Sequence, residues 1–175
     1  MVISQEITLD QSFTPHIDLG CHINEGTAFV AQTYTAGLSG ILSGVRLNVL
    51  PKASLNSQAV FAIYPLRVAI RQVQRGFPGT TILGEVTVPD GSAPPERLIT
   101  FPYPILQEAG AQYAIVVNYG EAPAAGVGRG SGTWYGSTGD QYPLGELFYG
   151  PEGETWYASS VKNHDVQFQT YVVPG

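Results

Sequence analysis

The chain has 175 residues, which is enough for one domain with a sizeable core, and its 43% hydrophobic content is typical of a globular protein. The net charge of −6 argues against nucleic acid as a partner, because phosphates are bound by clustered basic side chains. No segment approaches the ~20 consecutive apolar residues of a membrane helix, so we expect no membrane insertion. The first residues also lack the basic and apolar regions of a signal peptide.

The dominant hydrophobic period along the chain is two residues, which predicts β-strands. Residues 3–13 alternate in this way and form the first predicted strand, whereas residues 16–27 are rich in turn formers and are predicted to be a loop. The apolar run 59–73 contains Pro65, which cannot lie inside a central strand and therefore divides or bulges it. Further strands are predicted over residues 28–36, 41–50, 65–74, 81–89, 97–105, 111–119 and 165–173.

No window predicts a helix, because each carries glycine, proline or a run of β-branched residues. About ten short strands separated by turns indicate a single all-β domain over residues 1–175, an antiparallel β-sandwich of the jelly-roll type. No repeat of fixed period is present, which argues against a propeller or a solenoid. Residues 1–15 are a candidate N-terminal strand or arm for contacts between subunits, and the alternative is that they pair within their own sheet.

Residues 131–157 contain both tryptophans and five other aromatic residues, separated by glycines and acids. Exposed aromatic rings can stack on sugar rings while nearby polar groups bond the hydroxyls, so this stretch is a candidate glycan site. The candidate binding residues are Trp134, Tyr135, Asp140, Gln141, Tyr142, Glu146, Tyr149 and Trp156. The alternative is that the alternating aromatics fill the core, which burial favours. Tyr142 precedes a proline in a turn and is predicted to be the most exposed ring, and residues 137–145 are the predicted working surface.

Calcium is a candidate ligand, because sandwich domains often hold a hard cation with carboxylate and carbonyl oxygens. Asp18, Asn24 and Glu25 lie in one predicted loop, and Asp165 begins the last predicted strand. Asp140, with hydroxyls at 137 and 138, is a second group. The alternative for all of these side chains is an ordinary Asx turn.

Cysteine occurs once, at Cys21, and the neighbouring His22 does not give the paired spacing that zinc requires. We therefore predict a buried, inert thiol, with an intermolecular disulfide as the alternative.

No catalytic constellation is evident, so we do not expect an enzyme. A glycosidase requires two facing carboxylates about 5–10 Å apart. Glu146, Glu152 and Glu154 are close in sequence, but loop carboxylates are usually solvated. His164 and Asp165 are adjacent in a predicted strand and would point to opposite faces, and the chain has no G-x-S-x-G motif.

Several segments together resemble an uncharacterised all-β domain of large bacterial surface and secreted proteins, including proteins with variable C-terminal anchors. They are AQTYTAGLSGILSGVRLNV, PLRVAIRQV, GFPGTTILGEVTV, AGAQYAIVV, WYGSTGDQYPLGELFY and DVQFQTYV, and the likeness covers about residues 28–173. The resemblance implies a sandwich similar to those used for carbohydrate binding and adhesion. The chain differs from these proteins in carrying no repeat or anchor, which favours a subunit of a larger particle.

Two functions follow as expectations. The first is a non-catalytic structural subunit of an extracellular surface or particle, such as a filament, spore appendage or virion, that forms homo-oligomers through its sheet edges and the arm. The second is a carbohydrate-binding or adhesion module that uses the aromatics of the 134–157 region.

Overall fold

The computed structural model describes residues 6–23, 29–51, 64–120, 131–150, 155–158 and 164–175. Within these ranges the protein is all β, with no helix, and every strand pairing is antiparallel. The predicted antiparallel sandwich is confirmed, with fourteen strands in place of about ten. They are β1 (Thr8–Phe13), β2 (Leu19–Ile23), β3 (Phe29–Thr35), β4 (Gly40–Leu47), β5 (Val49–Pro51), β6 (Leu66–Gln74), β7 (Phe77–Val88), β8 (Ile99–Gln107), β9 (Gln112–Tyr119), β10 (Gly132–Thr138), β11 (Leu147–Gly150), β12 (Tyr157–Ala158), β13 (His164–Val166) and β14 (Phe168–Pro174).

The strands form three sheets. Sheet A has the order β1-β14-β4-β8, and sheet C has the order β12-β11-β3-β9-β6-β7. Sheet B has the order β13-β10-β2, with β5 also paired to β10. The inner faces of all three sheets share one hydrophobic core, in which Phe168 of sheet A, Trp134 of sheet B and Tyr34 of sheet C are fully buried.

Successive side chains of β9 point to opposite faces of sheet C and pack in two separate apolar clusters. Tyr113, Ile115 and Val117 lie in the main core, whereas Ala114 and Val116 lie in a smaller cluster on the other face of sheet C. The alternation therefore reflects burial on both faces, as expected for a central strand.

Sheet B arises where two predicted strands divide. The segment predicted as 41–50 is interrupted at Asn48 and the segment predicted as 165–173 at Gln167, so each contributes one strand to sheet A and one to sheet B. The backbone of Tyr135 in β10 lies at this division: its N–H donates to Asn48 O (2.9 Å), and its carbonyl accepts from Gln167 N (2.8 Å). The Asn48 and Gln167 side chains bond each other across the division at 3.0 Å.

Two sequence predictions of loops are wrong in part. Residues 16–27 contain β2, which pairs with β10 from Leu19 to Ile23. Between the strands predicted over residues 65–74 and 81–89 the turn is only two residues long, because Arg75 and Gly76 both adopt positive φ (54° and 83°) and allow β7 to begin at Phe77. This geometry suits a two-residue hairpin loop.

Candidate functional site

The segment that connects β10 to β11, here called the Ser137–Glu146 turn, is anchored by two carboxylates. Asp18 accepts hydrogen bonds from Thr138 N (2.7 Å) and Thr138 Oγ1 (3.0 Å) at its beginning. Asp165 accepts from Tyr142 N (3.0 Å) farther along. Within the turn, Gln141 Nε2 donates to Ser137 Oγ at 2.9 Å. None of these bonds is the local Asx turn that the sequence left open as the alternative, because each carboxylate binds backbone that is distant in sequence.

The end of the turn is attached to β3. Thr33 donates its N–H to Glu146 O at 2.9 Å, and its hydroxyl accepts from Glu146 N at 2.8 Å. Thr35 Oγ1 donates to Leu144 O at 2.9 Å. The predicted working surface is therefore a fixed part of the sandwich edge.

The two anchoring carboxylates lie in different environments. Asp18 is exposed, and the donors on Thr138 lower its pKa below the ordinary value. Asp165 is only 1% exposed, and burial raises its pKa although Tyr142 N and Gln32 Nε2 (3.0 Å) both donate to it. Gln32 is fixed in turn because its Oε1 accepts from Val166 N at 3.0 Å.

The prediction that Tyr142 is exposed is wrong. Its side chain is 6% exposed and lies in the main core, in a T-shaped contact with Phe168 at 5.0 Å between ring centroids. Its hydroxyl donates to Gln11 Oε1 at 2.9 Å. A buried tyrosine is stable in such a site because its ring is apolar and its hydroxyl has a partner.

Both tryptophans are buried, which confirms the core-packing alternative for them. Trp134 lies in the main core and donates its Nε1–H to Gln167 O at 2.9 Å. Trp156 lies in the smaller cluster on the outer face of sheet C, where the Arg71 guanidinium is 5.9 Å from its ring centroid.

The remaining predicted glycan residues do not form one surface with exposed rings. Asp140, Gln141 and Glu146 are exposed, whereas Tyr135 and Tyr149 are half-buried. The buried tryptophans and Tyr142 present no ring face to solvent, because their rings pack inside the two apolar clusters. Glycan binding itself stays a prediction.

A shallow groove of about 210 Å³ lies beside the turn. It is lined by Thr33, Gly76, Gln112, Pro143, Leu144, Gly145 and Glu146. Glu146 is the one carboxylate in this lining, so the groove does not bring together the pair that a glycosidase needs. Glu152 and Glu154 lie outside the described residues.

The proposed calcium ligands are only partly described, because Asn24 and Glu25 lie outside the described residues. The described part of the chain contains no group of three or more His, Cys, Asp or Glu side chains that could hold a metal ion. Asp18 and Asp165 accept their bonds from protein donors at the beginning and in the middle of one turn. Calcium binding stays a prediction.

The predicted buried thiol is confirmed. Cys21 is buried in the main core, and burial raises its pKa.

The sequence reasoning missed an apolar surface on the outer face of sheet A. Three pairs of neighbouring apolar residues place one side chain in the core and the next one on the outer face. They are Ile41-Leu42, Ile105-Leu106 and Val172-Val173, in which Leu42, Ile105 and Val172 are the buried members. These doublets are the sequence signal for a sheet that is apolar on both faces.

The outer members of these doublets lie in register across the sheet. Val173 is opposite Ile41, and Ile41 is opposite Leu106, which is 73% exposed. Ile7 continues this row on the first strand, because the next residue, Thr8, is opposite Val172. Ile7 and its neighbour Leu9 are about half exposed, and Ile41 is also exposed.

Comparison with known proteins found no match to a protein-family model, a curated protein or a solved structure. Within the described residues, no helix is long and apolar enough to cross a membrane.

Proposed function

We propose that the protein is a non-catalytic structural subunit of an extracellular surface or particle assembly, and that it self-associates through a sheet edge. The observation that supports this proposal is the exposure of edge strand β1 of sheet A. Its outer side chains, Leu9 and the preceding Ile7, are exposed, and within the described chain no strand pairs with its second backbone edge.

β1 lacks the prolines and lysines that usually protect an edge strand, although it has one bulge and the half-buried charge of Asp10. Natural proteins block edges with proline, lysine, inward-pointing charges, bulges or covering segments. β8, at the opposite edge of sheet A, contains Pro102 and Pro104, and β7, at the edge of sheet C, begins with Phe77-Pro78 and contacts β8. β1 contains neither proline nor lysine, and its one irregularity is a bulge between Leu9 and Gln11.

β1 is also firmly held in its own sheet. Asp10 accepts from Gly37 N (3.0 Å), Leu38 N (2.7 Å) and Gln107 Nε2 (2.8 Å), and Gln11 N donates to Thr170 Oγ1 (3.0 Å). We therefore favour addition of a second copy at the free edge of β1 over release of residues 1–15 as an arm. Two β1 strands that pair antiparallel about a two-fold axis would form one continuous eight-stranded sheet.

This proposal is tested by placing a lysine on the free edge. Sedimentation velocity and light scattering over a concentration series would measure the association of the wild type, of Thr8→Lys and of the control Thr100→Lys. Both threonines are exposed residues of edge strands in sheet A, but Thr100 lies on the proline-protected strand. We expect the wild type to dimerise and Thr8→Lys to raise the dissociation constant at least about tenfold, because a lysine on an edge strand opposes the addition of a further strand.

Thr100→Lys should leave the monomer–dimer equilibrium unchanged, and circular dichroism should be the same for all three proteins. A wild type that stays monomeric at every concentration would contradict the proposal. Unchanged association of Thr8→Lys would also contradict it.

A further inference from the structure

The outer face of sheet A carries a continuous apolar row that reaches from one edge of the sheet to the other. The row consists of Ile7, Val173, Ile41 and Leu106, one residue on or beside each of the four strands. We propose that this face packs against the same face of a second copy. Two edge-paired dimers would then stack into a tetramer.

The charges on this face indicate which kind of partner it can bind. The next row on this face contains Leu9, Tyr171 and Thr100, and the row after it contains Ser12, Gln169 and Arg46. Among these paired residues, Arg46 is the one with a charged side chain. A face with a single cation offers no basic cluster for nucleic acid or for an anionic membrane. The chain carries a net charge of −6, so copies repel each other least where the surface is free of acids.

The aromatic residue on this face is not available for stacking on a sugar. The Arg46 guanidinium lies over the Tyr171 ring, 5.1 Å from its centroid, and the Tyr171 hydroxyl donates to Gln169 Oε1 at 3.2 Å. What remains exposed is a set of aliphatic side chains on a twisted sheet. Such surfaces pack face to face with interdigitating side chains, as in the core of a sandwich.

The size of the face explains why stacking would follow edge pairing. Four strands spaced by ~4.8 Å, each about seven residues long at ~3.4 Å per residue, present roughly 450 Å². Two such faces would bury about 900 Å², which is less than the ~1,200–2,000 Å² of a stable interface. An edge-paired dimer presents twice this face, so two stacked dimers would bury about 1,800 Å². The inference therefore rests on the proposed function, because the edge contact supplies the second half of the surface.

The test uses the mass of the assembled protein. Native mass spectrometry and sedimentation velocity would compare the wild type with Leu106→Lys and with the control Tyr103→Lys. Both side chains are exposed apolar residues of β8, but Tyr103 lies between Thr100 and Ile105, where β8 has no paired residue on β4. We expect the wild type and Tyr103→Lys to be tetramers. Leu106→Lys should stop at the dimer, with a dissociation constant of the tetramer into dimers that is at least about tenfold higher.

The outcomes separate this inference from the proposed function. A wild type that stops at the dimer, or a Leu106→Lys variant that still forms tetramers, would overturn the stacking contact and leave edge pairing intact. A monomeric wild type would overturn both. If Leu106→Lys instead abolished binding to neutral phosphatidylcholine vesicles or to an arrayed glycan without changing the mass, the occupant would not be a second copy.

Discussion

Asp18 binds the beginning of the Ser137–Glu146 turn and Asp165 binds its middle, and the pKa values of the two carboxyls shift in opposite directions. Asp18 is solvated, so hydrogen bonds from Thr138 dominate and lower its pKa. Asp165 is buried beside Gln32 and Tyr142, so loss of hydration dominates and raises its pKa. Each carboxylate therefore contributes to stability in a different pH range.

Asp165→Asn should change the pH dependence of unfolding with a defined sign. Because the folded-state pKa is raised above 3.8, the stability linked to this carboxyl is fully present below that value and is lost as pH rises through the folded-state pKa. The free energy of unfolding of the wild type relative to Asp165→Asn should therefore fall as the pH rises above 3.8 and through the folded-state pKa. Urea unfolding at several pH values measures this difference.

Asp18→Asn is the matched control for that experiment. Its folded-state pKa is lowered, so its contribution to stability is present above pH 3.8 and is lost as pH falls through the folded-state pKa. The wild-type advantage over Asp18→Asn should thus grow with pH. If the difference in free energy of unfolding between the wild type and each variant changed with pH in the same direction for both variants, the environments of the carboxylates would be misassigned.

At the level of the elements, the Ser137–Glu146 turn depends on close backbone approach at Gly145. A Cβ at this position would lie 1.9 Å from Thr33 O, whereas a Cβ at Gly139 would contact no atom closer than 3.9 Å. Gly139 has φ of +90°, so alanine there is strained but not blocked.

Gly145→Ala should therefore destabilise the protein more than Gly139→Ala. We expect a loss of about 1 kcal/mol for Gly139→Ala from its positive φ. For Gly145→Ala we expect a loss of about 3 kcal/mol or more, because the turn must move away from β3 and its bonds to Thr33 must break. Thermal and urea unfolding measure both values. Equal losses would mean that the turn can shift without breaking the bonds to β3.

The strand pattern shows what the sequence can and cannot specify at this level. Alternation predicts that β9 is a strand, and it also predicts the faces of that strand, because the period of two is a local property. It does not predict the breaks at Asn48 and Gln167, since these depend on β10 entering between strands distant in sequence. Leu19, Cys21 and Ile23 do alternate with Gly20 and His22, but β2 is short and its surroundings are rich in turn formers, which favoured the prediction of a loop.

Burial of the aromatics was harder to predict than the strands. The sequence gives Trp134 and Tyr142 similar aromatic, glycine-rich surroundings, and the turn before Pro143 suggests exposure. The Tyr142 ring is inside because its N–H is fixed by Asp165 and its hydroxyl by Gln11, which are 23 and 131 residues away in sequence. Partners at such distances leave no local signal.

For the whole molecule, the amount of exposed apolar surface on the outer face of sheet A limits how tightly two copies can bind through that face. Ile7, Leu9, Ile41 and Leu106 together expose about two complete aliphatic side chains. Their burial would contribute roughly 3–6 kcal/mol per copy, at ~1.5–3 kcal/mol for each complete side chain. Association costs about 4–15 kcal/mol in lost translational and rotational freedom. The backbone hydrogen bonds of edge pairing are therefore needed as well, which couples the two contacts.

Salt should strengthen the assembly. Each copy has a net charge of −6, and the proposed contacts consist of backbone groups and mostly uncharged side chains, with Asp10 in β1 and Arg46 on the sheet face as their charged residues. Raising sodium chloride from 20 to 500 mM screens repulsion between copies without breaking any ion pair, so the dissociation constant should fall about three- to tenfold. Sedimentation velocity measures this change.

Glu96→Gln, which removes an exposed acid from the β7–β8 loop, should reduce the salt dependence, because less repulsion remains to be screened. Weaker association at high salt would instead indicate an interface held by ion pairs, and would contradict pairing through β1 and the apolar face.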